Sequence, residues 1–474
     1  DDPFPEDFSF QLFPDDLDRL EWYIEDAMAR VPLLGTAGIS KVINGPIPYA
    51  PDGNPLIGPM PGVPNAFEAC VFTFGIAQAG GAGKVLAEWV TEGATEWDMW
   101  SCDPRRFTAY TDSKYCVEKG MEIYGHEYGM HFPWARWPAG ADRRLSPVHD
   151  KVKALGGQFG AYNGWERANW FAKPGDDTSW EATQTWGRNG PWESRIREEC
   201  EAVRDGVGVL NLPGFSRFDL LGEGAGDWLR GLISGGLPKE GRLSLAYFPD
   251  HRGRIQTEMS VLNNGGDSYT LITASVAQWH DFEWLKRHLK PGLTLLDRSG
   301  EMDTLIVTGP KSRGLFAASS DADLSLGWLS HQKAHVAGRP CQLLRVSFAG
   351  ELGWEIHAAN ADMPTIYEAV LSQGAKPFGM WALNSLRLEK GYRAWKGDLS
   401  TDYSLLEGGL DRFVKLDKAQ DFVGKAALLS EKQQGVTKRF VTLTVDAGDC
   451  DAPYMSTLWH NGKVVGETTS GAWG

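Results

Sequence analysis

Seven residues constrain this chain more than any others. In Ile255-Gln256-Thr257-Glu258-Met259-Ser260-Val261 the side chains alternate strictly, with Ile255, Met259 and Val261 on one face and Gln256, Glu258 and Ser260 on the other. Such a segment is a strand with one core face and one polar face, and Asp250-His251-Arg252-Gly253 before it reads as a hairpin turn. A strand at Tyr269–Thr273 follows, then a helix opened by a capping box, Ser275-x-x-Gln278. Trp279, Phe282, Leu285 and Leu289 line one side of that helix, and Lys290-Pro291-Gly292 stops it. A second hairpin is predicted where Leu344, Val346 and Phe348 alternate, Gly350-Glu351-Leu352-Gly353 turns, and Trp354-Glu355-Ile356-His357 returns. A helix around Met380–Arg393, a break at Gly408-Gly409 and a strand at Arg439–Val445 complete an α+β pattern.

Upstream, the chain reads differently. Leu17, Leu20, Ile24 and Met28 recur at helical spacing behind Asp15-Asp16 and predict a helix that packs one stripe against a core. Residues 35–66 hold seven prolines and six glycines and predict irregular or strand-edge chain. From Phe72 to Glu88 a glycine-rich stretch leads into a helix, and residues 100–195, crowded with Trp, Tyr, Arg and Pro, predict a connecting layer with boundaries near 105 and 145. At 474 residues, two or three domains are expected.

Charge and cysteine usage remove several function classes. Lys+Arg 47 against Asp+Glu 62 leaves −15, with no long basic run, which argues against nucleic acid or anionic lipid as partner. The six cysteines lie far apart, without a Cys-x-x-Cys pair or a Cys/His cluster, so neither a disulfide framework nor a zinc site is indicated. No apolar run approaches the ~20 residues that span a bilayer, and the acidic start lacks signal-peptide architecture. A cytoplasmic protein is expected, or one of the mitochondrial matrix if the source is a eukaryote. The chain begins without Met and stops just after a strand-like run, which reads as a piece cut at both ends.

Few clusters can carry chemistry. Gly80-Gly81-Ala82-Gly83-Lys84 fails as a phosphate loop, because Gln78 and Val85 stand where Gly and Ser/Thr are needed, and no Gly-x-Gly-x-x-Gly follows a strand. What remains is a glycine-rich approach to a helix N-terminus, able to favour negative charge or simply to let a helix pack close to a sheet. His126 and His131 are five apart and share no helix face, so no metal is expected there; His331 and His335 read as surface residues. Glu258 sits mid-strand, where Glu is disfavoured unless its face is solvated or lines a site, and Glu355 is placed the same way. Together they could offer one carboxylate to a heterocycle's N–H edge and another to a proton; the residues alone leave open whether both simply face solvent.

Gly350-Glu351-Leu352-Gly353-Trp354-Glu355, Asn384-Ser385-Leu386-Arg387-Leu388-Glu389-Lys390, Arg393-Ala394-Trp395 and Phe413-Val414-Lys415-Leu416 resemble the tetrahydrofolate-binding half of dimethylglycine dehydrogenase. The pattern is shared more loosely with sarcosine dehydrogenase and with the aminomethyltransferase of the glycine cleavage system. Asn44-Gly45-Pro46-Ile47, Tyr49-x-Pro51-Asp52, Phe72-Thr73-Phe74-Gly75-Ile76 and Ala79 to Lys84 resemble the end of that family's flavin-binding oxidase domain. The resemblance implies residues 1–105 as the end of the oxidase domain, 106–145 as a connecting domain, 146–430 as an aminomethyltransferase-like folate-binding fold, and 431–474 as part of a barrel domain.

It also implies an enzyme that oxidises an N-methyl amino acid through FAD and passes the one-carbon unit to tetrahydrofolate, with oxygen or an electron-transfer flavoprotein as electron acceptor. Carried over, Glu258 is the catalytic acid, flanked by Met259 and Ser260; Phe348, Glu355, Ile356, His357 and Arg412 line the folate site; and Phe72, Thr73, Phe74, Gly75, Ile76 and Ala77 contact flavin. Thr73 replaces a family glycine, Phe348 and Arg412 replace tyrosines, and Leu383 replaces the stand-alone transferase's arginine. The dinucleotide fingerprint and the flavin-tethering histidine are absent from these residues, so the chain as given is not expected to hold FAD stably. Relatives acting on sarcosine or 4-methylaminobutanoate, and a non-catalytic regulatory subunit of pyruvate dehydrogenase phosphatase, are the rival expectations; the two glutamates favour catalysis.

Overall fold

The computed structural model describes residues 8–472. α1 (Glu21–Arg30) forms, but the stripe expected to meet a core buries none of its residues, because its main neighbours are the short 3-10 turns at its two ends. β1 (Leu56–Pro59) and β2 (Phe67–Cys70) make a small antiparallel ribbon. Against it α2 (Gly75–Glu92) packs Ala82 and Val85 around Ile57, with Phe72 alongside. The glycine cluster therefore lies inside α2 and does not lead into it. A Cβ at Gly80, Gly81 or Gly83 would meet nothing within 4 Å, so the cluster permits no close packing among the described residues. α3 (Ser113–His126) is capped by Asp112, whose carboxylate accepts from Tyr115 N at 2.8 Å. His126 and His131 each stand 4.9 Å from the Trp137 ring.

The rest is built on two sheets. α4 (His149–Ala154), the pair β3 (Gly157–Tyr162) and β4 (Trp165–Phe171), and α5 (Trp192–Asp205) lead into them. Then come β5 (Gly208–Asn211), β6 (Ser216–Leu221), α6 (Ala225–Arg230), β7 (Leu243–Pro249), β8 (Ile255–Gly265), β9 (Ser268–Thr273), α7 (Gln278–His288), β10 (Thr294–Asp297), β11 (Met302–Thr308) and α8 (Ser312–Ala317). β12 (His331–Val336), β13 (Arg339–Leu344), β14 (Gly353–Ala359), α9 (Met363–Ser372), β15 (Lys376–Pro377) and α10 (Met380–Glu389) follow, with α11 (Lys425–Gln434), β16 (Thr457–His460) and β17 (Lys463–Glu467) last. One sheet runs β10-β6-β9-β8-β7, the other β12-β13-β14-β11-β5-β15, parallel only between β5 and β15.

Alternation assigns each face. Phe218, Phe248, Met259, Val261 and Leu271 bury the first sheet against Trp228 and Leu229 of α6 and Trp284 and Leu285 of α7. The second sheet packs Val307, Leu343 and Ile356 on α4, α8 and α9, and Leu210 and Ile306 on α5 and α10. The other face of the first sheet meets the α10 side of the second where Leu243, Leu262 and Ile272 cluster with Leu344, beside Phe215 and Val346. α10 can start against β4 because Gly379 has no side chain: a Cβ there would lie 2.1 Å from the Asn169 carbonyl oxygen. Glu199 ties that junction together, accepting from the backbone N–H of Phe171 and of Gly379, both at 2.8 Å, and burial pushes its carboxyl up to about 8.

Several expectations are corrected. β13 ends at Leu344, so Val346 and Phe348 sit in irregular chain rather than on a strand; a Cβ at Gly353 would strike the Val346 carbonyl oxygen at 2.6 Å, and this close crossing ends the ladder. The helix after β9 has no side-chain cap: a 3-10 turn, Ser275–Ala277, precedes α7, the Ser275 hydroxyl receives Arg167, and Gln278 donates to Asp297. α10 stops at Glu389, short of Arg393. Arg439–Val445 is unpaired chain with Val441, Leu443 and Val445 exposed. His331 is buried on β12, bonded to the Asn263 carbonyl and to Gln342, rather than on the surface. All six cysteines are free, and no helix among the described residues is long and apolar enough to cross a membrane.

Candidate functional site between the two sheets

The turn at 250–253 sets the first carboxylate. Gly253 takes φ +78°, Asp250 Oδ1 accepts from the N–H of Arg252 and Arg254, and a bulge between Phe248 and Pro249 shifts the register so that Tyr247 lies opposite Glu258. Glu258 and Ser260 point to the face that meets the second sheet. Burial pushes the Glu258 carboxyl up to about 7, held back by the Tyr247 hydroxyl and the Arg393 charge. Tyr247, 2% exposed, packs its ring 5.2 Å from Phe413, and burial beside Glu258 raises its own hydroxyl well above the phenol range. It therefore stays a donor.

Arg393 is aimed by main-chain carbonyls. Its Nε donates to Gly408 O at 2.8 Å and its terminal nitrogens to Gly409 O at 3.3 Å and Gly391 O at 3.4 Å, with the Phe440 ring 4.4 Å beneath. The neighbouring Tyr392 stacks on Phe348, centroids 6.2 Å apart at 17°. One dipeptide thus sets a ring on Phe348 and a charge whose field reaches Glu258. Arg412 is exposed, 5.0 Å over the Phe413 ring, and its charge reaches Tyr247.

The second carboxylate comes from β14. Glu355 pairs across to Ile306 on one side and Leu344 on the other, and its carboxylate lies 3.1 Å from His357 Nε2. A carboxylate only accepts, so Nε2 carries the hydrogen, and Nδ1 lies 3.1 Å from the Thr304 hydroxyl. Thr304 N in turn donates to Asp303, a buried carboxyl that also receives Ser146 and Asn211. Since Leu344, opposite Glu355, touches Leu262, on the same face as Glu258 and Ser260, both carboxylates face the inter-sheet interface.

Other predicted residues go elsewhere. Met259 and Ile356 turn away: Met259 is buried against α6 and α7, and Ile356 in the core with α9, so alternation leaves only their main chain beside the interface. Phe72 is anchored against Ile57, while Phe74, Gly75, Ile76 and Ala77 are exposed at the start of α2, and Thr73 Oγ1 donates to Pro48 O at 3.5 Å. The first turn of α2 has no side-chain cap. Sequence reasoning missed Tyr247 and the role of Arg393. Only the bulge puts Tyr247 opposite Glu258; counting from Pro249 opposite Ile255 without it pairs Tyr247 with Thr257, on the wrong face.

Comparison with known proteins agrees with this architecture. Residues 148–418 match the family described as GCVT N-terminal domain, residues 92–146 the FAD dependent oxidoreductase central domain, and residues 3–89 FAD dependent oxidoreductase. The crystal structure of glycine cleavage system aminomethyltransferase T from Bartonella henselae aligns with TM-score 0.57 at 20% identity, over 69% of this chain and 86% of that one, and so shares the fold. The two sheets and their helices thus define an aminomethyltransferase-type unit preceded by flavin-oxidase sequence. Mitochondrial dimethylglycine dehydrogenase of Mus musculus is 35% identical over 480 residues, 99% of this chain and 55% of that protein. Mitochondrial sarcosine dehydrogenase of the same species is 32% identical over 512 residues, 97% of this chain and 55% of that protein. The chain belongs to the family described as GCVT N-terminal domain, and it spans about half the length of the curated relatives it matches.

Proposed function

We propose that this chain carries the one-carbon transfer half of an FAD-linked N-methyl amino acid demethylase of the dimethylglycine type, working in the cytoplasm or, in a eukaryote, the mitochondrial matrix. The observation that carries the reading is two carboxylates with unequal environments facing one interface: Glu258 half-buried and pushed up to about 7, Glu355 paired with His357. When bound, FAD supplies the acceptor for hydride from the N-methyl group, its electrons then leaving to oxygen or an electron-transfer flavoprotein. The uncapped first turn of α2 and the exposed Phe74–Ala77 suit the electron-rich carbonyl edge of a flavin.

Tetrahydrofolate suits the interface. The Glu355 carboxylate can accept paired hydrogen bonds from a pterin amino group and ring N–H, with His357 and Thr304 fixing its orientation, and Phe348 and Tyr392 supply flat apolar surface. Transfer of a methylene group from an iminium to two folate nitrogens moves both N–H hydrogens onto the departing amine, and Glu258 is placed to hold one of them in passage.

Calorimetry with tetrahydrofolate tests the reading. Glu355→Ala leaves a pterin edge unpaired and Glu355→Gln presents it with a donor; each should weaken binding by about 1–3 kcal/mol, roughly 5- to 150-fold. Wild-type affinity in both variants would remove Glu355 from the folate site, and no binding by folded wild type would favour a regulatory relative.

Stability should also follow pH. Glu258 ionises near 4.5 in the unfolded chain and about 7 when folded, so its protonated form favours folding at low pH and that contribution is lost as pH rises through 7. Between pH 5.5 and 8 wild type should lose about 2 kcal/mol relative to Glu258→Gln. Urea denaturation of both proteins at the two pH values measures the difference; parallel behaviour would show that the carboxyl is not buried.

A further inference from the structure

We propose that the cavity between α5, α10 and the chain at 451–454 is a binding site for an aromatic carboxylate, with its ring against Trp134, Trp192 and Trp381 and its carboxylate on Arg136. None of Glu258, Glu355 and the Phe72–Ala77 segment lines this cavity, so the inference stands apart from the folate and flavin readings.

The wall suits a flat ring. The cavity holds about 460 Å³, within the range of small-molecule sites. Trp192 opens α5 and Trp381 lies in the first turn of α10; their ring centroids are 5.8 Å apart at 74°, and Trp134 stands 5.5 Å from the first and 5.1 Å from the second. Gly190 lets the Trp192 ring lie against the main chain, since a Cβ there would come within 2.2 Å of it. Trp192 is 1% exposed, and its Nε1, like that of Trp134, is buried without a hydrogen-bond partner. An indole N–H only donates, and a buried donor without an acceptor is costly, so a molecule that brings an oxygen acceptor to this wall has unmade hydrogen bonds to fill.

Charge selects the acceptor. Three of the four arginines on the wall are spent on carboxylates: Arg197 on Glu193 at 3.0 Å, Arg188 on Asp451 at 3.6 Å, and Arg204 on Glu389. Arg136 is different. Its Nη1 donates to the carbonyls of Pro133 at 3.2 Å and Ala135 at 2.9 Å, its guanidinium lies 5.6 Å from the Trp381 ring centroid, and no carboxylate among the described residues pairs with it. Carbonyl oxygens orient the fork without neutralising it, and a planar guanidinium matches a carboxylate through two parallel hydrogen bonds. Glu201, exposed on the same wall, is roughly 13 Å along α5 from Trp192 and so keeps its charge away from the tryptophans. A neutral hydrocarbon would leave the cation and the indole donors unanswered, and a cationic ligand would be repelled by Arg136; a ring bearing a carboxylate answers both.

Calorimetry of the whole chain with three probes tests the site: naphthylacetate has ring and charge, naphthylacetamide keeps the ring, and cyclohexylacetate keeps the charge. Naphthylacetate should bind tighter than its amide by about tenfold or more, the least that charge-assisted hydrogen bonds contribute, and tighter than cyclohexylacetate by about 2- to 10-fold from ring stacking. Arg136→Gln should bring naphthylacetate down to the affinity of the amide, and Trp192→Phe, which keeps a ring and loses the N–H, should weaken it by about 3- to 10-fold. Saturating tetrahydrofolate should leave its affinity unchanged. Should Trp192→Phe fail to fold, the Arg136→Gln arm decides. Equal affinity for naphthylacetate and its amide, wild-type affinity in Arg136→Gln, or no saturable heat at millimolar probe would overturn the site, and so would displacement by tetrahydrofolate, which would place the probe in the inter-sheet interface instead.

Discussion

Glu258→Gln should slow transfer of the one-carbon unit to tetrahydrofolate by about 10²–10⁴-fold, the range lost when a positioned proton carrier is removed. The amide keeps the shape of the side chain but cannot exchange a proton, so folate affinity should stay within a few-fold of wild type. A single-turnover experiment on a protein in which this chain is joined to a dinucleotide-binding segment separates the steps: flavin bleaching by the N-methyl amine should keep its rate, while appearance of 5,10-methylenetetrahydrofolate should lag. An unchanged appearance rate would take Glu258 out of the mechanism, and a parallel loss in bleaching would place it with the oxidation.

The second large effect concerns the scaffold under Tyr392 and Arg393. Arg387 of α10, nearly inaccessible, donates to Asn384 at 3.0 and 2.7 Å, to Tyr392 O at 3.0 Å, to Asp398 at 2.7 Å and to Ser470 at 2.7 Å. Asp398, with no exposed side-chain surface, also accepts from Ala394 N, Thr469 and Ser470. The pair therefore pins both ends of the 392–398 loop and the chain at 469–470 to α10. Arg387→Met removes one partner and leaves a buried carboxylate uncompensated, which should cost about 3–5 kcal/mol of stability. Adding Asp398→Asn removes the stranded charge and should recover part of the loss. Denaturant unfolding of the two single variants and the double variant closes the cycle; additive losses would mean that the two side chains do not act as a unit.

How much was legible in the sequence follows from which forces act locally. The 255–261 alternation and its turn were readable because each is set by neighbours within a few residues; of the α7 stripe, Phe282, Leu285 and Leu289 reach the core, with Trp284 there in place of Trp279. Glu258 stood out for the same reason, as an acid where a strand disfavours one. The α1 stripe shows the opposite case: helical spacing fixes the element, while burial needs a partner surface that spacing does not announce. Val346 and Phe348 carry strand periodicity, yet the approach of Gly353 breaks the ladder before them. The glycines of 80–83 suggested a helix approach by composition, although the apolar residues on either side carry α2 straight through them. Tyr247, 11 positions from Glu258, comes opposite it only through a bulge, which leaves no mark on residue type.

The most direct test of the account is a crystal structure of the protein with tetrahydrofolate, grown without oxygen. The account predicts the pterin ring in the interface between the two sheets, its amino group and ring N–H on the Glu355 carboxylate and its reactive nitrogens turned toward Glu258. A folate bound on any other surface, or a ring seated there with Glu258 pointing away from both nitrogens, would contradict it.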